Sequence, residues 1–133
     1  MTTITSPELA LFNAVFSYVQ SRVCERVYDN PPDKQAACPF VVLGTEQTTN
    51  TENKSDTAKR LFLTVHIWAT TDQRQELELI RAKLVNLAKI RAAGWRFIAR
   101  HDEETSDTII DETVPNTQFL HGTVTLVYDA YNL

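Results

Sequence analysis

The 133-residue sequence predicts an α+β domain with a mostly antiparallel β-sheet and two α-helices packed on one face. Two stretches carry apolar residues at helical spacing, and several others alternate between apolar and polar residues as strands do. The strand candidates follow one another through hairpin-length turns, which favours antiparallel pairing. The length suits a single domain over residues 1–133.

The first predicted helix runs from Ser6 to Arg22. Thr5 is its expected N-cap, and Glu8 three residues later completes a capping box. Further apolar residues widen the apolar stripe to nearly half of the helix surface, which suggests contact with more than one surface. The stripe comprises Leu9, Phe12, Phe16, Val19 and Val23, widened by Leu11, Val15 and Tyr18.

Prolines shape the segment 26–44, which starts the predicted sheet. A short extended piece comes first, and Pro31 and Pro32 then exclude a helix. Pro39 has no N–H to donate, so it suits the start of a strand. We therefore predict the next strand from Phe40 to Glu46.

A polar stretch from Thr45 to Lys59 is predicted to be a long exposed loop or a mobile hairpin tip. Its only apolar residue is Ala58. Loops longer than about twelve residues without secondary structure are usually functional or disordered. We therefore take its polar side chains as candidates for partner contact. These candidates are Thr48, Asn50, Glu52, Lys54, Asp56 and Lys59.

The longest strand candidate runs from Arg60 to Thr71. Its two faces differ, because successive side chains of a strand point to opposite sides. One face is entirely apolar and is predicted to be core: Leu61, Leu63, Val65, Ile67 and Ala69. The other face carries two large aromatic side chains and is predicted to be partly covered: Phe62, Thr64, His66, Trp68 and Thr70.

A second helix follows, with Asp72 as the expected N-cap and Gln75 at the capping-box position. Gly94 is expected to end this helix in the left-handed conformation. Glu78 and Arg81 have the spacing of a weak surface ion pair. The apolar stripe of this helix comprises Leu77, Ile80, Leu84, Leu87 and Ala88.

The rest of the chain is predicted to be mainly strand. Residues 95–101 form one strand, 102–107 form a turn, and Ile109 and Ile110 form a short extended piece. The last strand covers 117–131. One face of this last strand is apolar: Leu120, Val124, Leu126 and Tyr128.

Charge and composition exclude several classes of protein. The chain carries seventeen acidic and thirteen basic residues, a net charge of −4, so it is a poor candidate for tight nucleic-acid binding. It has no signal peptide pattern and no apolar run long enough for a membrane span. We expect a soluble protein made in the cytoplasm. Cys24 and Cys38 are expected to be reduced.

Residues with catalytic or metal-binding chemistry are scattered. His66, His101 and His121 each lie in a predicted strand, and none has metal-ligand spacing to another. A metal site assembled from distant strands, or a nucleophile–base pair such as Cys38 with His66, stays open because such groups meet only in space. No glycine-rich phosphate loop is present. We predict no catalytic residue, no metal and no cofactor.

Two further clusters allow two interpretations each. The acidic residues between 102 and 112 are typical of a solvated turn, although a patch facing a partner or a DNA channel would look similar. Trp68 and Trp95 have aromatic or basic neighbours, as in a stacking platform for single-stranded nucleic acid. Core packing or a subunit interface produces the same pattern more often.

Three motifs resemble a known family. They are RVYD at 26–29, CPFVVLG at 38–44, and VHIWA at 65–69 directly before a helix. This pattern is similar to that of the tail-completion proteins of long-tailed, siphovirus-type bacteriophages, also called tail-to-head joining or tail-terminator proteins. The resemblance covers Leu9 to Leu87. The scaffold residues that it carries over are Val27, Tyr28, Pro39, Phe40, Gly44 and Trp68.

The resemblance implies a non-enzymatic virion protein at the head–tail junction. It implies a homo-oligomer, a hexameric ring, that caps the head-proximal end of the tail tube and joins it to the head connector. The free protein can be a monomer, and DNA can pass through the ring without specific binding. Two other hypotheses stay open: an α+β binding module that dimerises through its sheet, and a small hydrolase or isomerase that uses His66 or His121.

Overall fold

The computed structural model describes residues 5–32, 36–50 and 59–133. Two helices and seven strands form in this part of the chain. They are α1 Pro7–Arg22, β1 Val27–Tyr28, β2 Phe40–Asn50, β3 Lys59–Thr70, α2 Arg74–Val85, β4 Lys89–Ala92, β5 Trp95–Ala99, β6 Thr105–Asp111 and β7 Phe119–Asn132. A short 3-10 helix, His101–Glu103, lies between β5 and β6.

The seven strands form one sheet in the order β1-β2-β3-β7-β5-β4, and β6 also pairs with β7. Only the β1–β2 pair is parallel. β7 is long enough to hold two neighbours on one side, β6 along its first half and β5 along its second half. The predicted α+β class with a mostly antiparallel sheet is confirmed.

Both helices pack on the same face of the sheet. α2 covers the central strands β3 and β7, whereas α1 contacts β1 and β2 at one end of the sheet and β4 and β5 at the other. The sheet therefore curls until both of its ends reach α1. The predicted core face of β3 is confirmed, because all five of its residues are fully buried. Neither helix in the described ranges is long and apolar enough to cross a membrane.

The buried side of α1 differs from the prediction. Leu11, Val15 and Val19 are fully buried, whereas Leu9, which was predicted to lie on the stripe, is 50% exposed. The apolar surface of α1 is so broad that the sequence does not define which side faces the core. Packing against the curled sheet determines that side. The predicted N-cap is also wrong by one residue, because Ser6 accepts the N–H of Leu9 at 3.2 Å.

The second helix ends earlier than predicted. α2 stops at Val85, and the chain then enters the β4–β5 hairpin, which the sequence did not reveal. Ala93 and Gly94 both have positive φ, 50° and 86°, as the two-residue turn of a hairpin requires. The left-handed Gly94 was therefore predicted correctly but assigned to the wrong structure. The buried residues of α2, Leu77, Ile80 and Leu84, were predicted correctly.

Three details of α2 and its neighbours complete the comparison. Asp72 does not cap α2; the N-cap is Gln73, and it makes no capping bond with its side chain. The ion pair predicted between Glu78 and Arg81 forms at 3.8 Å. Arg81 also donates to the Asp107 carbonyl, which ties α2 to β6.

Several strand boundaries also differ from the prediction. β2 continues to Asn50, so residues 45–50 are strand rather than loop, and residues 51–58 lie outside the described part. The predicted turn at 102–107 is wrong from Thr105 onward, where β6 begins. His101 lies in the 3-10 helix rather than in a strand. The polar residues 45–50 and those from Thr105 onward form strands because a neighbouring strand pairs with them, whereas His101 has no such pairing.

A bulge in β2 buries a carboxyl group. The register shifts between Leu43 and Glu46, and Glu46 then lies opposite Leu63, on the side of the sheet that α1 covers. Its Oε2 atom is buried without a hydrogen-bond partner among the described residues. Burial, with a smaller contribution from Glu8, raises the pKa of Glu46 from 4.5 to about 7.

This raised pKa predicts how stability depends on pH. The folded carboxyl keeps its proton up to about pH 7, while the unfolded one loses it near its ordinary pKa of 4.5. Wild-type stability should therefore fall as the pH rises from 4.5 to about 7. At pH 8, Glu46→Gln should raise the free energy of unfolding by about 1–2 kcal/mol, reduced from the full value because the side chain is only half-buried.

Urea unfolding of both proteins between pH 5 and pH 8 measures this difference. Glu76→Gln is the matched control, because Glu76 is exposed on α2. A stability difference between wild type and Glu46→Gln that stays constant over this pH range would contradict the prediction.

Candidate partner-binding groove

An open groove of ≈ 500 Å³ lies on the face of the sheet opposite the helices. We call it the outer-face groove. Aromatic side chains of β2, β3 and β7 form its floor, and the segments before β2 and after β6 form its walls. Its lining includes Pro31, Pro32, Phe40, His66, Trp68, Val114 and His121.

Strand register builds the floor of the groove. Phe40 lies opposite Trp68, and Trp68 lies opposite His121, so the three rings form a row across three strands. The Trp68 and His121 rings stack with their centroids 3.9 Å apart, and the Phe40 ring lies 6.3 Å from Trp68. Tyr28 meets Phe40 edge to face at 6.0 Å. Such a flat, partly exposed aromatic row is a common anchor for a protein partner.

Two histidines meet at one end of this row. The Nδ1 atom of His66 lies 2.8 Å from the Nε2 atom of His121, so one ring donates and the other accepts. Burial lowers the pKa of both imidazoles, and for His121 the neighbouring His66 adds to this effect. The pair is therefore favoured in its neutral form. The spacing of residues in the sequence could not reveal this contact, because it depends on how β3 and β7 pair.

The histidine pair lacks what catalysis or metal binding would require. Neither ring hydrogen-bonds to a carboxylate, hydroxyl or thiol in the described ranges, so no nucleophile–base–orienting relay forms there. No group of three or more His, Cys, Asp or Glu side chains that could hold a metal occurs among the described residues. The third histidine, His101, contacts Glu104 instead. The features of the groove that can bind a partner are therefore its concave shape and its aromatic side chains.

Two of the scaffold residues predicted from the motifs, Phe40 and Trp68, line this groove. Val27 is buried where β1 pairs with β2, and Arg26 donates to the Pro39 carbonyl at 3.0 Å to hold the two segments together. Gly44 passes so close to His66 that an added Cβ would lie 3.0 Å from its ring. Gly44 of the motif therefore leaves the space that the His66 ring occupies.

Trp95, Cys24 and Cys38 lie outside the groove lining. Trp95 is buried on the helix side, and its indole donates to the Thr5 carbonyl at 2.6 Å, so it is no stacking platform. Cys24 and Cys38 are free thiols. The Cys24 sulfur lies 3.6 Å from the Pro39 carbonyl, next to Cys38, because β1 and β2 pair.

The predicted interface residues lie at the far end of the β2–β3 hairpin from the groove. Thr48 and Asn50 are exposed on β2, Asn50 pairs with Lys59, and Thr48 donates to Glu8 at 2.8 Å. The other three candidates, Glu52, Lys54 and Asp56, lie outside the described residues. The eleven residues of β2 separate this end from the Phe40 end by about 30 Å.

Comparison with known proteins identifies the family. The family described as Tail completion protein gp17 matches residues 9–114, which is most of the chain. The chain belongs to the Tail completion protein gp17 family. The predicted resemblance is thereby confirmed, and it extends beyond Leu87 through β4, β5 and β6. The chain is a virion tail assembly protein, and no catalytic site is evident among the described residues of this tail completion protein.

A solved structure shares the fold of this tail completion protein. It is a chain of the "Virion of native gene transfer agent (GTA) particle", with a TM-score of 0.68 and 15% sequence identity. The match covers 96% of this chain and 97% of the other. Comparison with curated proteins gave no match.

Proposed function

We propose that this protein caps the head-proximal end of the tail tube, stops its growth and joins the tail to the head connector. The family match over residues 9–114 carries the proposal. The partners are the tail tube protein on one side and a head-completion or connector protein on the other. The function is architectural and requires no cofactor.

The presence of two separate surfaces supports this proposal. The polar end of the β2–β3 hairpin and the outer-face groove lie about 30 Å apart along β2. One partner can therefore occupy the hairpin end, around Thr48 and Asn50, while the other occupies the groove. A joining protein needs two such surfaces at once.

The proposed assembled form is a hexameric ring, while the free protein can be a monomer. A ring leaves a central channel for DNA, and a net charge of −4 favours passage without tight binding. Contacts with the tube can offset the entropy lost when the copies are ordered.

Purified tail tubes test the proposal. Tubes mixed with this protein should carry a density at one end and stop elongating, as seen by electron microscopy. Completed tails should then join filled heads. Tubes that remain without a cap, or tails that reach normal length and join heads without the protein, would refute the capping and joining role.

The groove predicts a specific defect in joining. Trp68→Ala removes the central ring of the aromatic row, and we expect joined particles to fall by about tenfold or more. Phe62→Ala is the matched control, because Phe62 lies on the same strand and face but outside the groove. Thermal unfolding of both variants checks that each is folded. Equal joining by both variants would show that the groove is not a partner surface.

A further inference from the structure

β6 is an edge strand with an open side. Within the described ranges it pairs only with β7, so its other edge has no strand partner, and of its backbone groups the Asp107 carbonyl accepts from Arg81 of α2. Ile109 and Ile110, on opposite faces of the strand, are 53% and 55% exposed. An exposed edge with apolar side chains is a template for pairing with another strand.

The open edge of β6 is acidic. Asp107 and Asp111 lie on this strand, and Glu112 follows it. None of the three forms an ion pair with a lysine or arginine in the described part of the chain. Their charge is therefore available to a partner.

A second terminal strand of the same sheet is basic. Lys89 and Arg91 on β4 and Arg96 on β5 are all exposed. Arg91 lies directly opposite Arg96, a like-charge arrangement that destabilises a strand pair unless a negative group is near. The guanidinium of Arg96 lies over the Tyr131 ring at 5.2 Å, and no ion pair to these three side chains occurs in the described ranges.

We propose that β6 of one copy docks against β4 of the next copy, with the acidic side chains of β6 facing the basic side chains of β4 and β5. This inference rests on the proposed function, which requires an assembly of copies. The two surfaces differ, so the contact is head-to-tail, and such contacts close into rings when the rotation between copies permits. The acidic and the basic side chains all belong to this chain, which favours a second copy over DNA as the occupant of the basic patch.

Two charge reversals test this contact. Asp107→Lys places a positive charge among the acidic side chains of β6, and Arg91→Glu places a negative charge among the basic side chains of β4 and β5. Each variant alone should self-associate about tenfold more weakly than wild type or worse, because like charges then face each other. An equimolar mixture of the two should restore association, because the reversed edge of one variant meets the reversed strand of the other.

Sedimentation equilibrium measures association in solution, and the amount of protein bound per tube end measures it on tail tubes. The matched controls are Glu76→Lys and Arg74→Glu, which make the same charge changes at exposed positions of α2. The contact is supported if three results are obtained together: both controls associate as the wild type does, each test variant associates more weakly, and the mixture of the two test variants recovers association.

Several outcomes would overturn it. The contact is refuted if either test variant associates as strongly as the wild type, or if association is lost in both variants and not recovered in their mixture. It is also refuted if the wild type associates neither in solution nor on tubes. DNA binding that Arg91→Glu abolishes while association persists would assign the basic patch to nucleic acid instead. Capping of tubes by the wild type, measured in parallel, separates the two proposals. If the wild type caps tubes and both variants associate as the wild type does, only the β6–β4 contact is refuted. If the mixture of variants recovers association but the wild type does not cap tubes, only the capping role is refuted.

Discussion

Arg60→Ala is expected to lower the free energy of unfolding by about 2–4 kcal/mol, because it leaves a buried carboxylate without its main partner. Asp129 is 5% exposed and is the one buried charged residue in the described part of the chain. Arg60 holds it with two bonds, from Nε to Oδ1 at 2.8 Å and from Nη2 to Oδ2 at 3.3 Å. The side chain of Arg60 is itself 21% exposed, so the loss should stay below that of a fully buried pair.

The pair joins the two longest strands of the sheet. Arg60 on β3 lies directly opposite Asp129 on β7, on the face that carries the groove. Arg60 also reaches Glu103 at 3.1 Å, which ties the 3-10 helix to the sheet. Removing this arginine therefore affects both the sheet and the segment that leads into β6.

Denaturant unfolding measures the effect, and Arg100→Ala is the matched control. Arg100 approaches Asp129 only to 3.5 Å and is more exposed, so its loss should matter less. Removing both charges, in Arg60→Met with Asp129→Leu, should recover much of the stability lost in Arg60→Ala, since no unpaired charge stays buried. Equal losses for Arg60→Ala and Arg100→Ala would contradict the assignment of Arg60 as the main partner.

Leu11→Ala is expected to lower the free energy of unfolding by about 2–5 kcal/mol, because Leu11 is fully buried between α1 and the sheet. Leu9→Ala makes the same chemical change two residues earlier on the same helix. Leu9 is 50% exposed, so its substitution should cost less than about 0.5 kcal/mol. The pair isolates burial from helix propensity, since both replace leucine by alanine.

Denaturant unfolding of the two variants decides which side of α1 is buried. The sequence pattern places Leu9 on the stripe with Phe12 and Phe16 and counts Leu11 among the residues that widen it. The structure predicts the larger loss for Leu11. A larger loss for Leu9 would show that α1 packs against the sheet in a different rotation.

Local patterns predicted some elements well because one face of each is clearly apolar. The alternation in β3 and the 3.6-residue period in the first three turns of α2 leave a single way to bury their apolar side chains. The motifs at 26–44 and 65–69 identified the family for a related reason. Prolines, a close-packed glycine and an aromatic strand restrict the backbone locally, wherever the rest of the chain goes.

Other features depended on contacts between distant segments. The breadth of the apolar surface of α1 left its rotation undefined. Residues 89–92 were predicted to continue the second helix as far as Gly94, and pairing with β5 makes them a strand instead. The polar residues 105–107 read as a turn, but the backbone of β7 supplies them with ladder partners.

Sequence patterns alone were enough to predict the fold class, the core faces of β3 and β7, and membership in a family of phage tail proteins. Which residues meet depended on the folded chain. Folding placed Phe40, Trp68 and His121 in one row, put the two histidines in contact, and left acidic side chains on β6 and basic side chains on β4 exposed. This division arises because periodicity reports only which side of an element is buried, whereas a binding surface depends on the register between strands far apart in the chain.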